Sequence, residues 1–147
     1  MSEPIKAFSL IDSNVLVHAY NTADRRKHAI ANDLLEKCWR KEVYYAVSAQ
    51  NLAEFFIVVT KKVPLPLSIE QAEQIITDIC LFSHWTVLSY DEKTLQKAVQ
   101  LYKQSKHHFW DTLIAATMLH NGLFHIYTEN GDDFKKFAGL RAENPFG

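Results

Sequence analysis

Four acidic positions lie far apart in the sequence, yet each borders an apolar run. Asp12 closes Ala7-Phe8-Ser9-Leu10-Ile11, and Glu54 lies within Ala53-Glu54-Phe55-Phe56-Ile57-Val58-Val59. Asp111 opens Asp111-Thr112-Leu113-Ile114-Ala115-Ala116, and the pair Asp132/Asp133 follows shortly after Phe124-His125-Ile126-Tyr127. Carboxylates in apolar surroundings are costly unless something positive satisfies them. If they converge, the fitting partner is a hard divalent cation held by oxygen atoms. Without one, the carboxylates repel and at least one keeps its proton at neutral pH. A Mg²⁺ or Mn²⁺ ion removes that conflict, keeps several waters and leaves room for a substrate phosphate. Water on such an ion loses its proton more readily and becomes a nucleophile. No Gly-rich phosphate loop and no His-x-x-x-His pattern offers a competing chemistry. The chemistry indicated is phosphodiester hydrolysis.

The elements that must position these acids read as an alternation of strands and helices. Residues 6–11, 43–47, 85–88 and 124–127 are short, apolar or β-branched runs that read as strands. Between them, helical spacing of apolar residues runs through 14–20, 23–41, the segment after Ser48, the segment after Ser68, 91–104 and 109–121. Ser68 with Gln71 forms a capping-box pattern, Pro64-Leu65-Pro66 marks a loop, and Gly122 stands where a helix C′ glycine is expected. A short helix is expected over 134–137. Strands without polar alternation, separated by helices, predict an α/β fold: a three-layer α/β/α sandwich around a central, mostly parallel sheet of four to five strands. The whole chain, 1–147, reads as a single domain. In such sheets, sites gather outside the carboxyl ends of the strands. Asp12 and the Asp132/Asp133 pair follow strands, Glu54 lies in the helix after the second strand, and Asp111 opens the helix before the fourth.

Bulk properties bound the function without choosing it. With 16 Lys+Arg against 17 Asp+Glu the formal net charge is -1, so no overall basic character announces a nucleic-acid partner. The two cysteines, Cys38 and Cys80, fit neither a disulfide framework nor a metal-ligand spacing, and each reads as a small buried apolar residue. Free thiols, the lack of a signal-peptide pattern after Met1-Ser2-Glu3-Pro4, and the lack of any membrane-length apolar run predict a cytoplasmic protein without a membrane partner.

The motifs together resemble the PIN domain family, and in size the chain is similar to the VapC-like toxin ribonucleases of toxin–antitoxin pairs. The resemblance rests on Ile11-Asp12-Ser13-Asn14-Val15-Leu16, on Ser48-Ala49-Gln50-Asn51-Leu52-Ala53-Glu54, on Trp110-Asp111-Thr112-Leu113-Ile114-Ala115-Ala116-Thr117, and on Tyr127-Thr128-Glu129-Asn130-Gly131-Asp132-Asp133-Phe134, with Asn144-Pro145-Phe146 as the ending. It implies a Mg²⁺- or Mn²⁺-dependent endoribonuclease leaving 5′-phosphate and 3′-hydroxyl ends. It implies Asp12, Glu54 and Asp111 as metal ligands, with a fourth at Asp133 and Asp132 as the near alternative. Asn130 stands where some members carry aspartate. Asn14, Thr128 and Asn130 are implied as residues that hold the carboxylates in place. An RNA substrate, an antitoxin partner that blocks the acidic groove, and a homodimer are implied as well.

Plainer readings stand beside these. Asp12 could be a turn residue, Glu54 a helix-surface residue (though its apolar neighbours predict partial burial), and Asp111 a complement to its helix dipole. Asp24, Asp33, Asp78 and Asp91 read as caps or charged faces, and the seven histidines as surface or structural residues. Arg25, Arg26, Lys27, Lys61, Lys62, Lys103, Lys106, Lys135 and Lys136 are candidate RNA contacts or solvated faces. Phe109, Trp110 and Tyr20 are candidates to stack bases, and Tyr44, Tyr45, Phe55 and Phe56 are either interface or core. A rival function is a catalytically weak PIN-fold module that binds RNA or protein. A phosphatase with an aspartyl nucleophile is disfavoured, because the residue two after Asp12 is Asn14.

Overall fold

The computed structural model of the chain describes residues 7–106 and 108–147; Lys6 of the first expected strand and His107 fall outside them. Five strands, β1 (Ser9–Ile11), β2 (Tyr45–Ser48), β3 (Trp85–Leu88), β4 (His125–Tyr127) and β5 (Arg141–Glu143), form one sheet in the order β3-β2-β1-β4-β5. Every pairing is parallel, with Leu10 opposite Ala46 on one side and Ile126 on the other. The helices are α1 (Ser13–Tyr20), α2 (Arg25–Trp39), α3 (Ala49–Lys61), α4 (Ile69–Leu81), α5 (Glu92–Ser105), α6 (Phe109–His120) and the one-turn α7 (Gly131–Phe134).

Successive strand residues point to opposite faces, so each strand feeds two cores. Ile11, Tyr45 and Val47 join Val15, Leu35, Phe55 and Ile79 on one face. Leu10, Ala46 and Ile126 join Ile114, Met118 and Phe134 on the other. Both faces are covered, which is why the strands read as apolar runs without polar alternation. Helix α6 is buried continuously from Thr112 to Met118. Its Ile114, Ala115 and Met118 pack under the sheet, while Leu113 and Ala116 pack with Ala98 of α5. A helix apolar all round lies inside the protein, and this one holds the residues at its start firmly. Beyond it Gly122 takes φ +67°, and the Leu123 N–H bonds the Met118 carbonyl at 3.0 Å, closing the helix end.

Several expectations require revision. Strand β5 was not read from the sequence: Arg141-Ala142-Glu143 is an edge segment whose identity comes from backbone pairing to β4. The last helix begins at Gly131, before the expected 134–137. Cys38 is buried but Cys80 is exposed; the buried residues of α4 are Ala72 and Ile79, and Cys80 lies one step round the helix from Ile79. Phe55 and Tyr45 are core residues, at 0% and 4% exposure, so neither is an interface element. A polar row crosses three strands, with Ser9 Oγ 2.7 Å from His125 Nδ1 and His125 Nε2 3.2 Å from Glu143 Oε1. Ser9 is buried, and the row reads as structural.

Candidate metal centre

Asp12 leaves the carboxyl end of the central strand β1 and caps α1. Strands β2 and β3 lie to one side of β1 and β4 and β5 to the other, so Asp12 stands at the point where the sheet order reverses. Its backbone N–H bonds the Tyr127 carbonyl of β4 at 3.0 Å. Asp12 is 3% exposed, and its carboxylate is met by donors from three parts of the chain. Oδ1 accepts from the Ser13 N–H at 2.8 Å and from Asn51 Nδ2 at 3.0 Å. Oδ2 accepts from Thr128 Oγ1 at 2.7 Å and from Asn14 Nδ2 at 3.4 Å.

These donors are braced in turn. Thr128 follows β4, and its hydroxyl oxygen accepts the Asn130 N–H at 3.0 Å, so Asn130 acts on the site through its backbone. Asn14 Oδ1 accepts the Glu129 N–H at 3.2 Å. Asn51 stands three residues after the α3 cap Ser48, and its Oδ1 accepts from the Ser48 N–H and hydroxyl at 3.0 and 2.8 Å. One face of its amide therefore closes the helix start while the other reaches Asp12.

Glu54 comes one turn later on α3. The Ser13 hydroxyl donates to Glu54 Oε2 at 2.9 Å and lies 3.5 Å from Asp12 Oδ1, so one side chain touches both carboxylates. Gln50 uses its two amide protons on Glu54 Oε1 at 3.2 Å and on the Trp110 carbonyl at 3.0 Å, fastening α3 to the first turn of α6 beside Asp111. Glu54 is exposed, contrary to the partial burial expected from its apolar neighbours. Phe55 and Val59 take the core-facing side of α3 and turn Glu54 toward a cleft of about 490 Å³ lined by Gln50, Ala53, Glu54, His108, Trp110 and Asp111.

Electrostatics ties the three acids together. Burial pushes the Asp12 carboxyl up from 3.8 to about 6; the bonds from Thr128 and Ser13 oppose this, and the charges of Glu54 and Asp111 add to it. The oxygen-only donor set and the mutual repulsion fit a hard divalent cation. Among the described residues, no three of His, Cys, Asp and Glu already stand together as a ligand cluster. The carboxylates share an electrostatic neighbourhood, with Glu54 held by Ser13 and Gln50. Asp132 and Asp133 lie in the first turn of α7, where the Asp133 N–H bonds the Asn130 carbonyl at 3.1 Å. The carboxylates acting most strongly on Asp12 are Glu54 and Asp111, not this pair.

Reading the sequence missed Ser13, Gln50 and Asn51. Each lies inside a quoted motif, and Asn51, three residues after a capping serine, also gave a local signal as a cap partner. Of the candidate cations, Lys27 pairs with Glu129 at 2.7 Å and Arg26 donates to the Phe146 carbonyl at 2.7 Å. His18 also meets Glu129, at 2.7 Å. Asp24 and Asp91 are helix caps, as expected.

The fold is similar to solved structures of bacterial proteins. VapC20 of Mycobacterium tuberculosis, a sarcin–ricin loop cleaving toxin, is 18% identical with a TM-score of 0.68, covering 90% of this chain and 98% of that one. VapBC2 of Rickettsia felis, bound to a fragment of its promoter DNA, gives 24% and 0.64 over 92% and 97%. DNA-bound VapBC of Salmonella typhimurium gives 19% and 0.64 over 95% and 98%. No curated protein matches the chain. The sequence also matches the PIN domain over residues 9–140, nearly its full length, and the chain belongs to the PIN domain family.

Proposed function

We propose that this protein is a Mg²⁺- or Mn²⁺-dependent endoribonuclease and the toxin of a toxin–antitoxin pair. The observation that carries the reading is Asp12: a buried carboxylate at the switch point of a parallel sheet, fixed by four donors and repelled by two further acids. Asp12, Glu54 and Asp111 would hold the ion, with Asp133 as the fourth acid. A bound divalent ion supplies charge neutralisation at the scissile phosphate and a more acidic water. The protein's own groups do the rest. Thr128, Asn14, Asn51 and Ser13 aim the Asp12 oxygens and leave it no freedom to turn away. Above pH 6 that carboxylate is ionised and ready to ligate. Ser13 and Gln50 set Glu54 at the mouth, and the open cleft admits an RNA backbone.

The solved relatives support the biology. VapC20 cleaves the sarcin–ricin loop, and several neighbours are toxin–antitoxin complexes. The antitoxin complexes among them support a protein partner, for which the acidic groove is the proposed seat; pairing with a second copy is carried over from the family resemblance alone. The rival reading, a binding module with a weak metal site, draws on the absence of a closed ligand cluster among the described residues.

One assay separates the two. Wild type with Mn²⁺ cleaves unstructured RNA to 5′-phosphate and 3′-hydroxyl ends, and chelation stops it. Asp12→Asn lowers the rate at least about 100-fold, in line with losing a group that acts on the transition state. Asp133→Asn against Asp132→Asn identifies the fourth acid by the larger loss. Equal cleavage by wild type and Asp12→Asn discards the nuclease reading.

A further inference from the structure

Trp110 adjoins Asp111, yet the residue is 60% exposed. An exposed tryptophan is unusual, since burial of so large an apolar surface is favourable. It also lines the cleft that holds Glu54 and Asp111. Its backbone is fixed: the carbonyl takes a proton from Gln50, whose other amide proton binds Glu54. One edge of the ring rests on Phe109, with centroids 5.6 Å apart at 68°, and Phe109 rests on Tyr102 of α5 at 5.9 Å. The indole is thus held at its root and uncovered on its surface, at a set place relative to two of the three acids.

We infer that Trp110 is a stacking platform for an unpaired base of single-stranded RNA, next to the phosphate held at the acids. The inference rests on the nuclease reading and adds to it a residue that holds the substrate's base. Charge argues for it. The chain has net charge -1, and Lys27 and Arg26 are already engaged by Glu129 and Phe146. The chain as a whole therefore carries no net positive charge to gather phosphate, and two of its candidate cations are already taken. Stacking needs no charge, accepts every base and requires a base free of its duplex. The platform accordingly selects looped or unstructured RNA, which positions the strand and excludes a continuous helix.

The test uses the Asp12→Asn protein, so that binding is read without cleavage, and an eight-nucleotide oligo(A) against an RNA duplex of equal length. The single strand quenches tryptophan fluorescence and the duplex does not. Trp110→Ala removes the quench and weakens binding about tenfold, within the range of losing one stacked base. Trp110→Phe keeps most of the affinity. In the wild-type background Trp110→Ala raises KM by a similar factor and leaves kcat within about threefold. Thermal melting checks folding, which an exposed side chain leaves intact. Affinity for the single strand within twofold of the parent in Trp110→Ala, or equal quenching by the duplex, overturns the platform. If wild type fails to cleave RNA with Mn²⁺ while the Trp110-dependent quench persists, the platform stands and the nuclease reading falls.

Discussion

Asp12 weakens the metal-free fold by being charged. Its carboxyl is raised from 3.8 to about 6, chiefly by burial. Below pH 4 the folded and unfolded states both hold the proton. Between about pH 4 and 6 the unfolded chain has released it while the folded chain still binds it, so stability falls as pH rises through that window. Above pH 6 the deficit is complete, about 3 kcal/mol at 1.36 kcal/mol per pK unit. Asp12→Asn removes the charge, although its new amide group must face donors on Thr128 or Asn51, which offsets part of the gain. The expected outcome is a melting temperature above wild type at pH 7.5, an advantage that vanishes by pH 4, and stabilisation by millimolar Mg²⁺ in wild type alone. A melting difference that does not change with pH would count against the burial of this charge.

At the scale of elements, the start of α3 does two jobs with one residue. Asn51→Ala takes away the return bond of the capping box and the donor to Asp12 Oδ1. Loss of a cap and of a bond to a charged acceptor is expected to destabilise the fold by about 2 kcal/mol, measured by urea unfolding. It should also lower Mn²⁺ affinity, because the carboxylate loses one of its guides. A variant as stable as wild type would remove Asn51 from the account. The contrast between what could and could not be read beforehand lies at this scale. Strands β1 to β4 and the long helices announce themselves through apolar period, which is set by burial. Strand β5 does not: Arg141 and Glu143 are exposed, and only the ladder to His125 and Tyr127 makes the segment a strand. The acids were legible as carboxylates bordering apolar runs, Asp12 at a strand end and Glu54 and Asp111 in helices. Ser13, Gln50 and Asn51 were not legible as parts of the site, because short polar side chains look alike whether they cap, face water or aim a carboxylate. Their role exists only once α1, α3 and the turn after β4 are side by side.

For the molecule as a whole, the last residues close on the first helices. Phe146 is 5% exposed and packs within the core on the α1–α2 side of the sheet. His18 meets its ring edge-on at 5.1 Å, the Lys27 ammonium lies 5.6 Å from its centre, and Arg26 holds its carbonyl. Phe146→Ala is expected to cost about 3 kcal/mol in thermal or denaturant unfolding, as for a large buried aromatic. A change under about 1 kcal/mol would show that the tail merely lies against the body. The sheet order has a second effect, on timing. Strand β1 is synthesised early, but its neighbour β4 and the Thr128 hydroxyl lie 116 positions downstream of the residues they serve. A growing polypeptide on the ribosome cannot assemble the Asp12 pocket until Thr128 has emerged. Until then Asp12 Oδ2 lacks its Thr128 donor and Asn14 lacks the Glu129 N–H that braces it.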